Sequence, residues 1–117
     1  MSRNEMLEQS YDFAKHIILT VREMQKRRVE WALRDQLLRS GTSIGANVAE
    51  AQHAQSKRDF VAKLEIAQKE SYECIYWLRL LSDLGDINQA AANKLLAECS
   101  SLRNMLTSAI LTIKSRP

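Results

Sequence analysis

The sequence predicts an all-α domain, an antiparallel up-down-up-down bundle of four helices with left-handed packing. Three observations predict it. The only proline among the 117 residues is Pro117, so nothing in the body of the chain forces a helix to break. Apolar residues recur at spacings of three and four, with no sustained alternation by two and no Asn-Gly or Asp-Gly turn. A hydrophobic content of 45% suits one compact domain over residues 1–117 rather than a disordered chain.

Three breaks divide the chain. The charged stretch Gln25-Lys26-Arg27-Arg28 is the first. Ser56-x-x-Asp59 is the second, a capping-box pattern with Asp in place of Glu. Asp83-Leu84-Gly85-Asp86 is the third, with Gly85 suited to a helix C′ position and Asp86 to a new N-cap. Helices are therefore expected over about 4–26, 29–54, 57–83 and 87–114, and their short connections favour antiparallel neighbours.

The first helix carries a broad stripe of Phe13, Ala14, Ile17, Ile18, Val21 and Met24. The second carries Val29, Leu33, Leu37, Ser40, Ile44, Val48 and Ala51, small in the middle. In the third, Phe60, Leu64, Ala67, Ser71, Cys74, Leu78 and Leu81 alternate spacings of four and three, the seam of left-handed packing. Ala92, Leu95, Cys99, Leu102, Leu106, Ala109 and Ile113 repeat that seam in the fourth. The third helix also has a second strip, Ile66, Trp77, Leu80 and Leu84. A bundle core uses one face of each helix, so the extra strip predicts a homo-oligomer with Ile66, Trp77 and Leu80 at its interface. The competing reading is a wide core face inside a monomer.

No apolar run approaches the ~20 residues needed to span a bilayer, and MSRNEMLEQSYDF lacks a signal-peptide core. A cytoplasmic protein with no membrane partner is expected. Cys74 and Cys99 form no CxxC pair and fall on apolar stripes, as small buried thiols do.

The stretch RSGTSIGANVAEAQ, residues 39–52, invites a phosphate-binding reading. Neither GxxxxGK[ST] nor GxGxxG is present, and no lysine or preceding strand supports it. Gly41 and Gly45 instead lie one turn apart beside Ser40, Ala46 and Ala49, a face that admits a neighbouring backbone or bulky rings such as Trp31, Trp77 or Tyr76. Ser40, Thr42 and Ser43 are placed to bond carbonyls one turn earlier.

Glu50-x-x-His53 is half of a di-iron motif. Its second half is missing, because Phe13, not Glu, precedes His16 by three residues. Glu50 and His53 therefore read as hydrogen-bonding residues near a helix end, and no metal or other cofactor is expected. Glu70 and Glu73 lie one turn apart, without a visible nucleophile, and read as interface carboxylates with Arg39, Arg79 or Asn47 as partners. Asn47 among small residues suits a register-fixing amide. The net charge of +3 permits nucleic-acid binding without requiring it. Arg22, Lys26, Arg27, Arg28, Arg34 and Arg39 form the main basic cluster, and Lys57, Arg58 and Lys63 a second. Both patterns also occur on solvated bundle ends.

Residues 39–81, RSGTSIGANVAEAQHAQSKRDFVAKLEIAQKESYECIYWLRLL, resemble the signature of small bacterial bundle proteins named for 23S rRNA intervening sequences. Arg39-Ser40, Ser43-Ile44, Asn47-Val48-Ala49-Glu50, Ser56 with Phe60, Ile66-Ala67, and Glu70 with Glu73 carry the likeness. The resemblance implies a cyclic homopentamer without enzymatic activity or cofactor. That family is in turn similar to the accessory protein of diversity-generating retroelements, a basic pentameric bundle that binds a reverse transcriptase and nucleic acid. Many members have a proline near Gly45, a glycine near Ala51 and a more basic stretch where Leu37 and Leu38 stand here.

Three functions follow as expectations. One is an oligomeric module whose basic cluster pairs with RNA or DNA phosphates without base readout. Another is a structural or protein-binding oligomer with no nucleic-acid contact. The third is a metalloenzyme using Glu50 and His53.

Overall fold

A computed structural model describes residues 3–117, and these form four α-helices with no strand among the described residues. α1 spans Arg3–Lys26, α2 Trp31–Ala51, α3 Lys57–Asp83 and α4 Gln89–Lys114. They lie side by side as a helical bundle of 50 × 21 × 19 Å. Chain neighbours pack most extensively, α2 on α3 above all, and α1 meets α4 along a thinner seam. His16 on α1 spans that seam, its Nδ1 2.7 Å from Glu98 Oε2 on α4. Lys57 donates to the Arg116 carbonyl at 2.5 Å, and Lys114 reaches Glu65 at 2.9 Å, so α3 begins where α4 ends.

Local bonds decide where each helix stops. α3 closes with the Asp86 N–H on the Leu81 carbonyl (2.9 Å) and the Gly85 N–H on Ser82 (3.0 Å), with Gly85 at φ +78°. This is the Schellman geometry, which favours glycine at the left-handed position. α1 closes the same way without a glycine. The Val29 N–H bonds Met24 and the Arg28 N–H bonds Gln25, both at 3.0 Å, and Arg28 takes φ +61°. Val29 and Met24 are both buried, the apolar contact that often accompanies this motif.

Val29 therefore belongs to the closure of α1, and α2 starts at Trp31 rather than near 29. After Ala51 the N–H groups of Gln52, His53 and Ala54 bond carbonyls three residues back, a tightened turn that ends the helix before 54. Ser56 caps α3 by accepting from the Asp59 N–H at 3.0 Å, while the Asp59 carboxylate accepts from the Gln55 N–H at 3.2 Å. The N-cap of α4 is Asn88 rather than Asp86, because Asp86 is committed to closing α3 and Ile87 turns into the core. Asn88 Oδ1 accepts from the N–H groups of Ala90 and Ala91.

Phe13, Ile17 and Met24 of α1, Leu37, Ile44 and Val48 of α2, Leu64, Leu78 and Leu81 of α3, and Leu102 and Leu106 of α4 fill the core. Small polar groups are buried among them. Ser10, Ser40 and Ser71 bond carbonyls of their own helices at 3.1, 2.9 and 2.6 Å, so each hydroxyl donates within its own helix. Cys99 donates to the Ser71 carbonyl at 3.4 Å. Cys74 hydrogen-bonds Cys99, and this contact together with burial pushes the Cys74 thiol well above its usual pKa.

The glycines of α2 set the distance to α1. A β-carbon on Gly41 would sit 2.7 Å from Cγ1 and 2.9 Å from Cγ2 of Ile17. One on Gly45 would sit 3.1 Å from the Ser10 carbonyl oxygen. The space at the glycines is thus taken by α1 itself. Trp31 and Tyr76 lie exposed elsewhere, and Trp77 is half-buried on α3.

Three stability measurements follow. In urea denaturation, Gly41→Leu should destabilise by roughly 1–3 kcal/mol through overpacking. In an Ile17→Ala background the two closest contacts are gone and only the residue-17 β-carbon, 3.2 Å away, remains, so Gly41→Ala should be less destabilising there than in the native chain, helix propensity offsetting about 1 kcal/mol. Arg28→Gly should raise stability by about 1 kcal/mol, because it relieves a left-handed residue carrying a Cβ. A neutral or destabilising result for Arg28→Gly would contradict that account of the turn.

Candidate functional site

The outer side of the α2–α3 seam gathers the charged members of the 39–81 stretch. Arg39 Nη2 lies 3.5 Å from Glu73 Oε1 and donates to Gln36 Oε1 at 2.7 Å. Glu73 in turn hydrogen-bonds Glu70, whose side chain is buried, with the residue 8% exposed. Glu70 Oε2 has no hydrogen-bond partner among the described residues. Burial first, then the hydrogen bond and negative charge of Glu73, raise the Glu70 pKa, and Arg39 and Lys69 oppose this only in part. Ionisation of Glu70 is therefore disfavoured in the folded chain.

The other candidates are placed separately. Asn47 donates to the Ser43 carbonyl of its own helix at 2.8 Å, so its amide bonds within α2 rather than across helices. Ser43 likewise bonds the Arg39 carbonyl at 2.6 Å, and Thr42 the Leu38 carbonyl at 2.7 Å. Glu50 pairs with Lys63 at 3.4 Å, while His53 is exposed and bonds the Glu50 carbonyl through its backbone N–H at 3.0 Å. No group of three or more His, Cys, Asp or Glu among the described residues has a metal-binding arrangement.

Along α3, one strip faces outward. Ile66 is 40% exposed, Trp77 and Leu80 are half-buried, and Tyr76 and Leu84 are 58% and 60% exposed. Tyr76 meets Trp77 edge-on, with ring centroids 5.0 Å apart. Trp77 Nε1 is buried without a partner among the described residues. It stands seven residues from Glu70, so an orphan donor and an orphan acceptor occupy one side of the same helix.

The six basic residues do not form one free patch. Lys26 pairs with Glu23 at 3.1 Å, and Arg27 donates to the Gly85 and Asp86 carbonyls at 2.8 and 3.1 Å. Arg34 Nε donates to the Val29 carbonyl at 2.8 Å, and its guanidinium lies 5.1 Å from the Trp31 ring centroid. Arg39 is held apart from these at the seam with Glu73. Arg22 and Arg28 are exposed and form no ion pair among the described residues. Two features went unread in the sequence. The Trp31–Arg34 stack had a local signal, its three-residue spacing on a helix, whereas His16–Glu98 joins residues 82 apart and had none.

What the fold presents is a helical bundle whose distinctive features are an apolar strip, a carboxyl pair with Glu70 buried and Glu73 half-exposed, and a basic turn. The chain belongs to the family of 23S rRNA-intervening sequence proteins, whose model matches residues 2–108. It is similar in structure to a protein of unknown function from the S23 ribosomal protein family of Bacteroides thetaiotaomicron. That protein is 37% identical, with 90% of this chain and 97% of the other covered, at a TM-score of 0.87. No curated protein matches the chain. Among the described residues, no helix is long and apolar enough to cross a membrane.

The raised Glu70 pKa sets a sign for pH dependence. A carboxyl that is harder to ionise when folded supports stability at low pH and loses that support as pH rises through its folded pKa. Glu70→Gln should therefore stabilise the protein at neutral pH and show little difference below the ordinary glutamate range. Denaturation midpoints across pH check this, and a Gln variant less stable at neutral pH would contradict it.

Proposed function

We propose that this protein is a non-catalytic interaction module, an up-down-up-down, left-handed four-helix bundle that assembles into a cyclic homo-oligomer. Its outer basic surface binds RNA or DNA weakly and without sequence preference, in the cytoplasm and away from membranes. The observation that carries the assembly is the outward strip of α3. Ile66, Trp77 and Leu80 leave apolar surface exposed or half-exposed beside two buried polar atoms, Glu70 Oε2 and Trp77 Nε1, that lack partners among the described residues. An orphan buried donor or acceptor costs about 1–3 kcal/mol, and a second copy docked here would offset that cost. Five copies in a ring is the number the family resemblance supplies.

Nucleic-acid binding is supported by the basic turn of Arg22, Lys26, Arg27, Arg28 and Arg34, with Arg39 nearer the seam. A ring multiplies each such turn, and phosphate affinity grows with the number of charges engaged. A second reading has its own support. Because Lys26, Arg27, Arg34 and Arg39 already hold partners, the chain also fits a structural or protein-binding oligomer, such as a reverse-transcriptase accessory factor, that touches no nucleic acid.

Replacing Trp77 and Leu80 by glutamine should shift the mass measured by light scattering towards monomer, and an unchanged mass would remove this interface. Binding to a mixed nucleic-acid pool should fall steeply with salt, and Arg28→Gln should lower the salt slope by about 1 for each phosphate that the guanidinium neutralises. Absence of binding at low salt would leave the protein-binding reading.

A further inference from the structure

We infer that Trp31, braced by Arg34, is a stacking platform for a base of a single-stranded polynucleotide. This rests on the nucleic-acid reading above and names the form of nucleic acid that the basic turn takes.

Trp31 is the first residue of α2 and is 57% exposed. An indole normally buries a large apolar area in a core or an interface, so this ring is left unused by the fold. It is nevertheless held in place. The Arg34 guanidinium lies 5.1 Å from its centroid, and Arg34 Nε is anchored by a 2.8 Å bond to the carbonyl of Val29. Val29 is itself buried as the closing contact of α1. The ring is thus stacked on a cation that is bonded to a core residue's backbone, which reduces the entropy a ligand would otherwise lose in ordering it.

Arg34 occupies one side of the ring, and the remaining exposed surface is open to a second flat group. The chemistry around it matches a nucleotide. Arg28 sits three residues away at the left-handed turn, exposed and without an ion pair among the described residues, and on α1 Arg22 is likewise exposed and without an ion pair among them, whereas Lys26 is paired with Glu23. Glu30, exposed beside Trp31, keeps the local charge modest and the binding weak. A base on the indole with its phosphates towards Arg28 uses both features. Every base has a π-face, so such binding tolerates any sequence, as ring-plus-cation sites for single strands do. A duplex keeps its bases stacked on one another and gains nothing from the indole.

The test uses the full chain and labelled oligothymidylate, oligouridylate and a blunt duplex of equal length, at low and physiological salt. In a Trp77→Phe variant Trp31 is the only tryptophan, and its emission should be quenched by either single strand. Trp31→Ala should weaken single-strand binding roughly tenfold, while Trp31→Phe keeps most of it and duplex binding stays unchanged. Arg34→Lys keeps the charge but loses the planar brace, and should weaken binding less than Trp31→Ala. Quenching by one polymer alone would identify RNA or DNA as the strand taken. Salt-sensitive binding that is indifferent to Trp31→Ala, or equal for duplex and single strand, overturns the platform and leaves the broader reading standing. No binding at low salt overturns both.

Discussion

The close approach of α1 to α2 is the constraint on which the rest of the molecule depends. It requires two glycines inside a helix, each costing about 1 kcal/mol in intrinsic propensity relative to alanine. The geometry explains why they are retained. Ile17 and the Ser10 carbonyl stand where β-carbons on Gly41 and Gly45 would go. Around this contact the buried positions are small as well: Ser10, Ser40, Ser71, Cys74 and Cys99. Each buried serine hydroxyl bonds a carbonyl of its own helix, while the cysteines reach across, Cys99 of α4 donating to the Ser71 carbonyl of α3.

A narrow core has a consequence at the surface. In a bundle 21 × 19 Å in cross-section, the two phenylalanines are buried while none of the three tyrosines or two tryptophans is. Tyr11, Trp31, Tyr72 and Tyr76 are exposed and Trp77 is only half-buried. Amphipathic rings at a surface suit contact with partners, because they bring large rigid area with little rotamer entropy to lose. The strip with Trp77 and the basic turn with Trp31 are two uses of the same surplus. They differ in chemistry, since the first includes buried polar atoms without partners and the second sets a ring against the Arg34 guanidinium.

The basic residues show how local architecture limits what a charge cluster means. Arg27 and Arg34 spend donors on backbone carbonyls at the two turns of one bundle end, and Lys26 and Arg39 face carboxylates. Counting cations therefore overstates the positive field available to a ligand. The buried Glu70 carboxyl runs the other way, because burial beside Glu73 makes its negative charge harder to form.

Much of this was legible from the chain alone, for a physical reason: helix periodicity and capping are local. The stripes of Phe60 to Leu81 and Ala92 to Ile113, the Ser56 cap and the left-handed position of Gly85 all involve residues within a turn or two of one another. By itself the sequence determined the helical class, the core faces, the family and the absence of a phosphate-loop motif. The tertiary structure decided what faces what. Only packing shows that Gly41 and Gly45 meet α1 rather than an aromatic ring, that Asn47 turns back on α2, and that Arg28 closes a glycine-type turn. Only packing leaves Glu70 and Trp77 each with an orphan atom and stands Trp31 in solvent against Arg34. Such outcomes depend on distances between helices, which are set by the summed volumes of side chains far apart in sequence and by no local pattern.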